Sequence, residues 1–189
     1  MTPLLYNKSI CIDSLNYYLR KHKLSARLFS DQNVEELFPL FQACEEFIAL
    51  VFNHKKTELE AINFIHDLPK NHSNDNKLPI GIYNEQEKLI AVLDLIKSYP
   101  NKGSWYIGLL LSLPSMRCKG FGSIMVACVE QTILAFGGSE LNLIVQNNNH
   151  RALMFWEKLG FVLMRESLQK LDHSSHIVSH FRKLLSLEQ

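Results

Sequence analysis

The sequence predicts one α+β domain built around a mixed sheet, and three observations lead there. Apolar residues make up 47% of the 189-residue chain and charged residues 21%, with a formal net charge of +1. That is the balance of an ordinary globular domain with one sizeable core. Strand-like and helix-like stretches both occur, with no internal repeat and no low-complexity linker between them. Near the middle, the apolar run Leu110–Leu113 passes through Pro114 and a loop carrying Arg117, Lys119, Gly120 and Gly122 into an apolar-periodic segment. This reads as a strand, a tight turn and a helix start.

Residues 1–24 carry apolar Tyr17, Tyr18 and Leu19 before a basic run, and fit either a short helix or an extra edge element. Ala26–Phe29 alternates as a short strand. Ser30 and Asp31 offer caps for a long helix to about Phe52, in which Pro39 must kink the pattern or split it. Thr57 with Glu60 forms a capping-box pattern for a second helix that ends at Leu68-Pro69. Lys70–Lys77 is polar and aperiodic; a plain surface loop is the favoured reading, and a border of an acceptor site the alternative. Pro79–Tyr83 and Leu89–Lys97 read as an antiparallel pair around Asn84–Glu87, and Trp105–Leu113 as the next strand. A helix over about Ser123–Phe136 ends at Gly137-Gly138, and the strand Glu140–Gln146 then lies parallel to its predecessor because a helix crosses between them. Asn147–Asn149 breaks that strand. Arg151–Leu159 is a short helix closed by Gly160, and Phe161–Arg165 and Ile177–Leu184 close the sheet.

Bulk properties exclude several function classes. The small net charge argues against a nucleic-acid surface or a polybasic membrane arm. No apolar run approaches the ~20 residues that span a bilayer, and Met1–Asn7 lacks the pattern of a secretory signal. Cys11, Cys44, Cys118 and Cys128 contain no C-x-x-C pair, so they read as reduced thiols of a cytoplasmic protein that needs no metal. Nor do His54, His66, His72, His150, His173, His176 and His180 show ligand spacing.

The loop carries the chemistry. A turn into a helix leaves backbone N–H groups unpaired at the positive end of the helix dipole. Gly120 and Gly122 let an anion approach the main chain, with Arg117 and Lys119 adding charge. Gly122 is followed by Ser123 and Ile124 with no lysine, so this is no nucleotide P-loop; Met125 stands where a dinucleotide fold has its third glycine. What stands is R-x-x-G-x-G. Further on comes Asn149-x-x-Ala152-x-x-Phe155-Trp156-Glu157-Lys158-Leu159-Gly160-Phe161.

These two motifs, in this order and spacing, resemble the GCN5-related N-acetyltransferase (GNAT) superfamily. The resemblance covers about residues 26–165 and is sharpest from Trp105 to Phe161. It implies a mostly antiparallel sheet flanked by helices, with two splayed parallel central strands. It also implies acetyl-CoA as co-substrate: the pantetheine arm lies along Leu111, Ser112 and Leu113, and the pyrophosphate on Arg117, Cys118, Lys119, Gly120, Phe121, Gly122 and Ser123. Asn149 then contacts the cofactor or is simply a turn asparagine, and Trp156 packs against cofactor or core. The implied activity is transfer of an acetyl group to a primary amine of a small molecule or peptide by direct attack. A backbone N–H of the strand polarises the thioester carbonyl.

Two departures keep a rival open, a non-catalytic acyl-CoA-binding or regulatory module. Many relatives place a tyrosine acid where this chain has Trp156, and a carboxylate base on the strand before the loop, where Asn101–Met116 has no Asp, Glu or His. The strongest substitute is Asp94, alone in the apolar strand Leu89–Ile96, either a catalytic base or a structural anchor. Tyr99, Tyr106 and Ser112 are weaker relay candidates, and a covalent route through Cys118 is not needed for direct transfer. Oligomeric state, a homodimer included, stays open.

Overall fold

The computed structural model describes residues 7–52, 54–70, 72–171 and 174–186. His173 and the start of the N-terminal segment lie outside these. Among the described residues seven strands form one sheet: β1 (Ser25–Leu28), β2 (Lys77–Tyr83), β3 (Leu89–Lys97), β4 (Ser104–Ser112), β5 (Glu140–Gln146), β6 (Val162–Leu171) and β7 (Ser174–Leu184). Their order is β1-β2-β3-β4-β5-β7-β6, with β4 and β5 parallel and all other neighbours antiparallel. This is the mixed, mostly antiparallel sheet that the sequence implies.

One face is covered by α1 (Lys8–Leu19), α5 (Phe121–Ala135) and α6 (His150–Lys158). Their apolar residues, Leu15 and Met125 among them, form the larger core with Leu78, Ile80 and Ile82 of β2 and with Leu93, Trp105 and Leu141. On β2 the alternate residues 78, 80 and 82 share that face, as strand geometry requires. The opposite face of β1–β4 is covered by a 3₁₀ turn (Asp31–Leu37) and by α2 (Phe38–Ala43), α3 (Glu45–Phe52) and α4 (Thr57–His66), around Phe41, Ile48, Phe64 and Leu111.

The N-terminal segment takes the helical one of its two readings, capped by the Asn7 side chain on the Ser9 N–H at 2.8 Å. Asn16 then pins β1 by bonding both the N–H and C=O of Ala26. Two other elements differ from the sequence reading. The long helix expected to Phe52 is three pieces, because Pro39 starts a new helix in its first turn and Cys44 leaves helical geometry at φ −108°. The closing strands are also longer than expected and form a hairpin of ten and eleven residues.

Candidate functional site

Strands β4 and β5 pair only from Ser104↔Glu140 to Ile107↔Leu143, and beyond that point they diverge. The cause is a bulge on β4. Asp94 faces Leu109 while Leu95 faces Ile107, so Gly108 is an extra residue opposite β3. Leu113 gives its N–H to Ile90 O at 2.9 Å, so by alternation the groups of Leu110 and Ser112 face the gap instead. The Ser112 carbonyl there accepts from the Cys44 thiol and from Arg117 Nε, both at 3.4 Å.

A cavity of about 210 Å³ fills the wedge, walled by Leu110, Ile144, Val145, Trp156 and, from α3, Phe47 and Val51. Trp156 belongs to both core and cavity: it packs edge-on against Phe155 and Phe161 and is buried, yet its ring is part of the wall. Asn149 also lines the wedge, and its side chain caps α6 by accepting from the Ala152 N–H at 3.1 Å. Gln146 reaches across to give its amide to Val51 O at 2.5 Å, which ties α3 over the wedge. Its Oε1 is buried without a hydrogen bond, an acceptor suited to an amide N–H such as pantetheine carries.

The turn into α5 lies at the open end of β4. Gly120 holds φ +78°, and a Cβ built on it meets nothing within 4 Å, so the space above this helix start is open. Gly122 is glycine for another reason: a Cβ there would come within 2.9 Å of the Phe155 ring, and only its absence lets α5 and α6 pack so closely. Cys118, Lys119 and Ser123 are exposed, and Phe121 is buried in the core, which leaves its main chain to the turn. Arg117 folds back to the Cys44 sulfur at 3.4 Å, and Arg151 of α6 reaches the Cys118 sulfur at 2.8 Å. Basic groups, an open turn and a helix amino end thus share one place, which fits a pyrophosphate. A Gly120→Val variant is expected to weaken acetyl-CoA binding at least about tenfold, because a β-branched residue is strained at positive φ and intrudes on that space. Isothermal titration measures this directly, and unchanged affinity would refute the placement.

A second cavity, of about 320 Å³, lies on the other side of Gly108. Phe52, Gly108 and Leu109 line both cavities, so the two meet at the bulge. Asp94 stands at this junction, 7% exposed. Its Oδ1 lies 2.8 Å from the ammonium of Lys77, a lysine with no exposed surface that also donates to Asp67 O at 2.7 Å. The contact is an ion pair whose angles leave Oδ1 without a well-formed hydrogen bond. Its Oδ2 points at Gly108, where any Cβ would overlap it. Burial pushes the Asp94 carboxyl up to about 6, with Lys77 opposing the rise. Behind it Tyr106, whose phenol burial also pushes up, packs edge-on against Tyr99, and Tyr99 against His72.

Lys77 and Glu60 are the site residues that sequence reasoning missed. Glu60 does not close a capping box: α4 has no side-chain cap, and Glu60 turns inward to His54 and Asn63, each at 3.2 Å. The Lys70–Lys77 stretch is bounded by Leu68 and Pro69 in the wall of the second cavity, and His72 Nε2 lies 3.0 Å from Ser98 O.

The model of the acetyltransferase (GNAT) family matches residues 34–161, more than half of the chain. The chain belongs to the GNAT family. Its class is therefore that of an acyl-CoA-dependent acetyltransferase. No curated protein matches it in sequence. Among solved structures, it is similar to an acetyltransferase of Thermus thermophilus at TM-score 0.67 and 18% identity, covering 86% of this chain and 97% of that one. Spermidine N-acetyltransferase of Vibrio cholerae, in complex with CoA and spermine, gives 0.64 at 16% identity, covering 86% and 96%. The ribosomal-protein-S18-alanine N-acetyltransferase of Escherichia coli gives 0.61 at 11% identity, covering 88% and 96%. At these identities the GNAT chain shares a fold with them. No helix among the described residues is long and apolar enough to cross a membrane.

Proposed function

We propose that this GNAT protein transfers an acetyl group from acetyl-CoA to a primary amine by direct attack, with Asp94 as the base. The observation that carries the reading is the junction at Gly108: a wedge between parting strands on one side, a second cavity on the other, and a buried carboxylate oxygen pointing at the place where they meet. Acetyl-CoA supplies an acyl carbonyl on a good leaving group, so that an N–C bond forms as the C–S bond breaks.

The chain's own residues do the rest. Leu110 and Ser112 present main-chain groups to the wedge, Gln146 offers Oε1, and the turn Arg117–Ser123 receives the pyrophosphate. Asp94 Oδ2 takes a proton from the incoming ammonium, while Lys77 holds Oδ1 and keeps the carboxylate ionised. Trp156 is too weak an acid to protonate the leaving sulfur, so its part is to shape and dry the wedge. The similarity to a structure holding CoA and spermine supports both the co-substrate and an amine acceptor.

Asp94→Asn tests the assignment. Thiol release over a panel of primary amines is expected to fall at least about a hundredfold with acetyl-CoA affinity little changed, the usual scale of a lost general base. Wild-type kcat/KM should fall as pH drops below about 6, because the base must be unprotonated, and the variant should lack that limb. Full activity of Asp94→Asn would remove Asp94 from the chemistry. Saturable acetyl-CoA binding by the wild type with no turnover on any amine would instead favour a non-catalytic acyl-CoA-binding module.

A further inference from the structure

The second cavity has a composition that selects among amines. Among the described residues three carboxylate side chains line it, Glu60, Asp67 and Asp94, and no lysine, arginine or histidine does. The basic groups nearby stand behind the wall and are engaged: Lys77 with Asp94 and Asp67 O, His54 with Glu60. Asp94 and Glu60 are both buried, at 7% and 6% exposure, and Asp94 has an oxygen lacking a well-formed hydrogen bond. The rest of the wall is apolar and aromatic, with the rings of Phe41, Phe52 and Phe64 prominent. At about 320 Å³ the space is large enough for a small amine with an apolar body.

From this we infer that the acceptor is a primary ammonium carried on an apolar body and lacking a carboxylate, as in an arylalkylamine. The inference rests on the acetyl-transfer reading of the same site and adds the substrate class. An ammonium entering beside Asp94 is met by negative charge, and an apolar body behind it by the apolar and aromatic side chains of the wall. A carboxylate on the same molecule would be driven into the company of Glu60 and Asp67 with no basic group in the wall to receive it, and like charges at close quarters are strongly unfavourable. A second ammonium would have to be desolvated against the apolar wall, where Glu60 is already engaged by His54 and Asn63, so a single cationic end with an apolar remainder fits best.

Calorimetric binding to the full chain saturated with CoA tests this with three probes: 2-phenylethylamine, phenylalanine and 1,4-diaminobutane. The expected result is that 2-phenylethylamine binds at least about thirtyfold tighter than phenylalanine and tighter than the diamine. Glu60→Gln should narrow the first gap to a few fold, while CoA affinity stays as in the wild type. Equal or tighter binding of phenylalanine overturns the inference, as does tighter binding of the diamine or no binding of 2-phenylethylamine. Thiol release from acetyl-CoA is measured alongside. Tight binding of 2-phenylethylamine without thiol release would sink the acetyl-transfer reading and leave the cavity's preference standing, so the two failures are distinct.

Discussion

Replacing Lys77 with methionine should move the acid limb of kcat/KM from near pH 6 to higher pH and destabilise the protein most in alkaline solution. Lys77 has no exposed surface, and its ammonium faces Asp94 at 2.8 Å. Methionine keeps much of the volume and removes the charge, leaving a buried carboxylate uncompensated. The Asp94 pKa already stands above the ordinary aspartate value through burial, and Lys77 is what restrains it. Loss of Lys77 therefore raises it further. A carboxyl raised in the folded state stabilises the fold below its unfolded pKa, near 4, and loses that contribution as pH rises through the folded value. In the variant this loss extends to higher pH, so the deficit should be smallest near about pH 5 and reach about 3 kcal/mol near about pH 8. For a chain of this length that is a drop of about 6–12 °C in Tm. Melting curves at the two pH values check the stability, and a pH–rate profile checks the limb. Among the described residues, the other titratable side chains in the wall around Asp94 are Asp67, Glu60 and Tyr106, and none of them carries positive charge that could replace the lost ammonium. An unmoved limb would mean that Asp94 does not act as the base.

Gly108→Ala should cut kcat about a hundredfold while leaving acetyl-CoA affinity within a few fold. The added methyl would overlap Asp94 Oδ2 and stand 3.0 Å from its Cγ. Asp94 cannot give way easily, since it is buried and its other oxygen is held by Lys77. The carboxylate must therefore shift by a good fraction of an ångström, and misplacement of that size costs about 10²-fold in a positioned reaction. The methyl would also narrow the place where the two cavities join. A double-mutant cycle with Asp94→Asn separates the effects. If the methyl acts through Asp94, the two losses should be far from additive. Undiminished turnover in Gly108→Ala would show that Oδ2 does not face the reacting nitrogen.

How much of this is legible in the sequence depends on whether the signal is local. The turn Arg117–Ser123 announces itself because glycines, basic residues and a helix start are contiguous, and the parallel arrangement of β4 and β5 follows from the helix between them. Asp94 is conspicuous as one charge in an apolar strand, but its partner lies at the end of a stretch that reads as polar loop. Only tertiary pairing of β2 with β3 brings Lys77 under it. Glu60 shows the opposite failure. Its spacing from Thr57 has the form of a helix cap, and the same spacing serves a residue turned to the interior. Gly108 carries no signal of its own, since its glycine is required by a side chain on the neighbouring strand.

The short register between β4 and β5 has a mechanical consequence. Four residue pairs are all that the sheet ladder provides between strands β1–β4 and the β5-β7-β6 half. Each half is a well-laced panel, and the seam between them is a partial zip. Gln146 and Asn148, reaching to carbonyls of α3, act as guy-lines on the open side of that seam. A molecule seated in the opening would complete the lacing, so occupancy and rigidity of the whole body rise together.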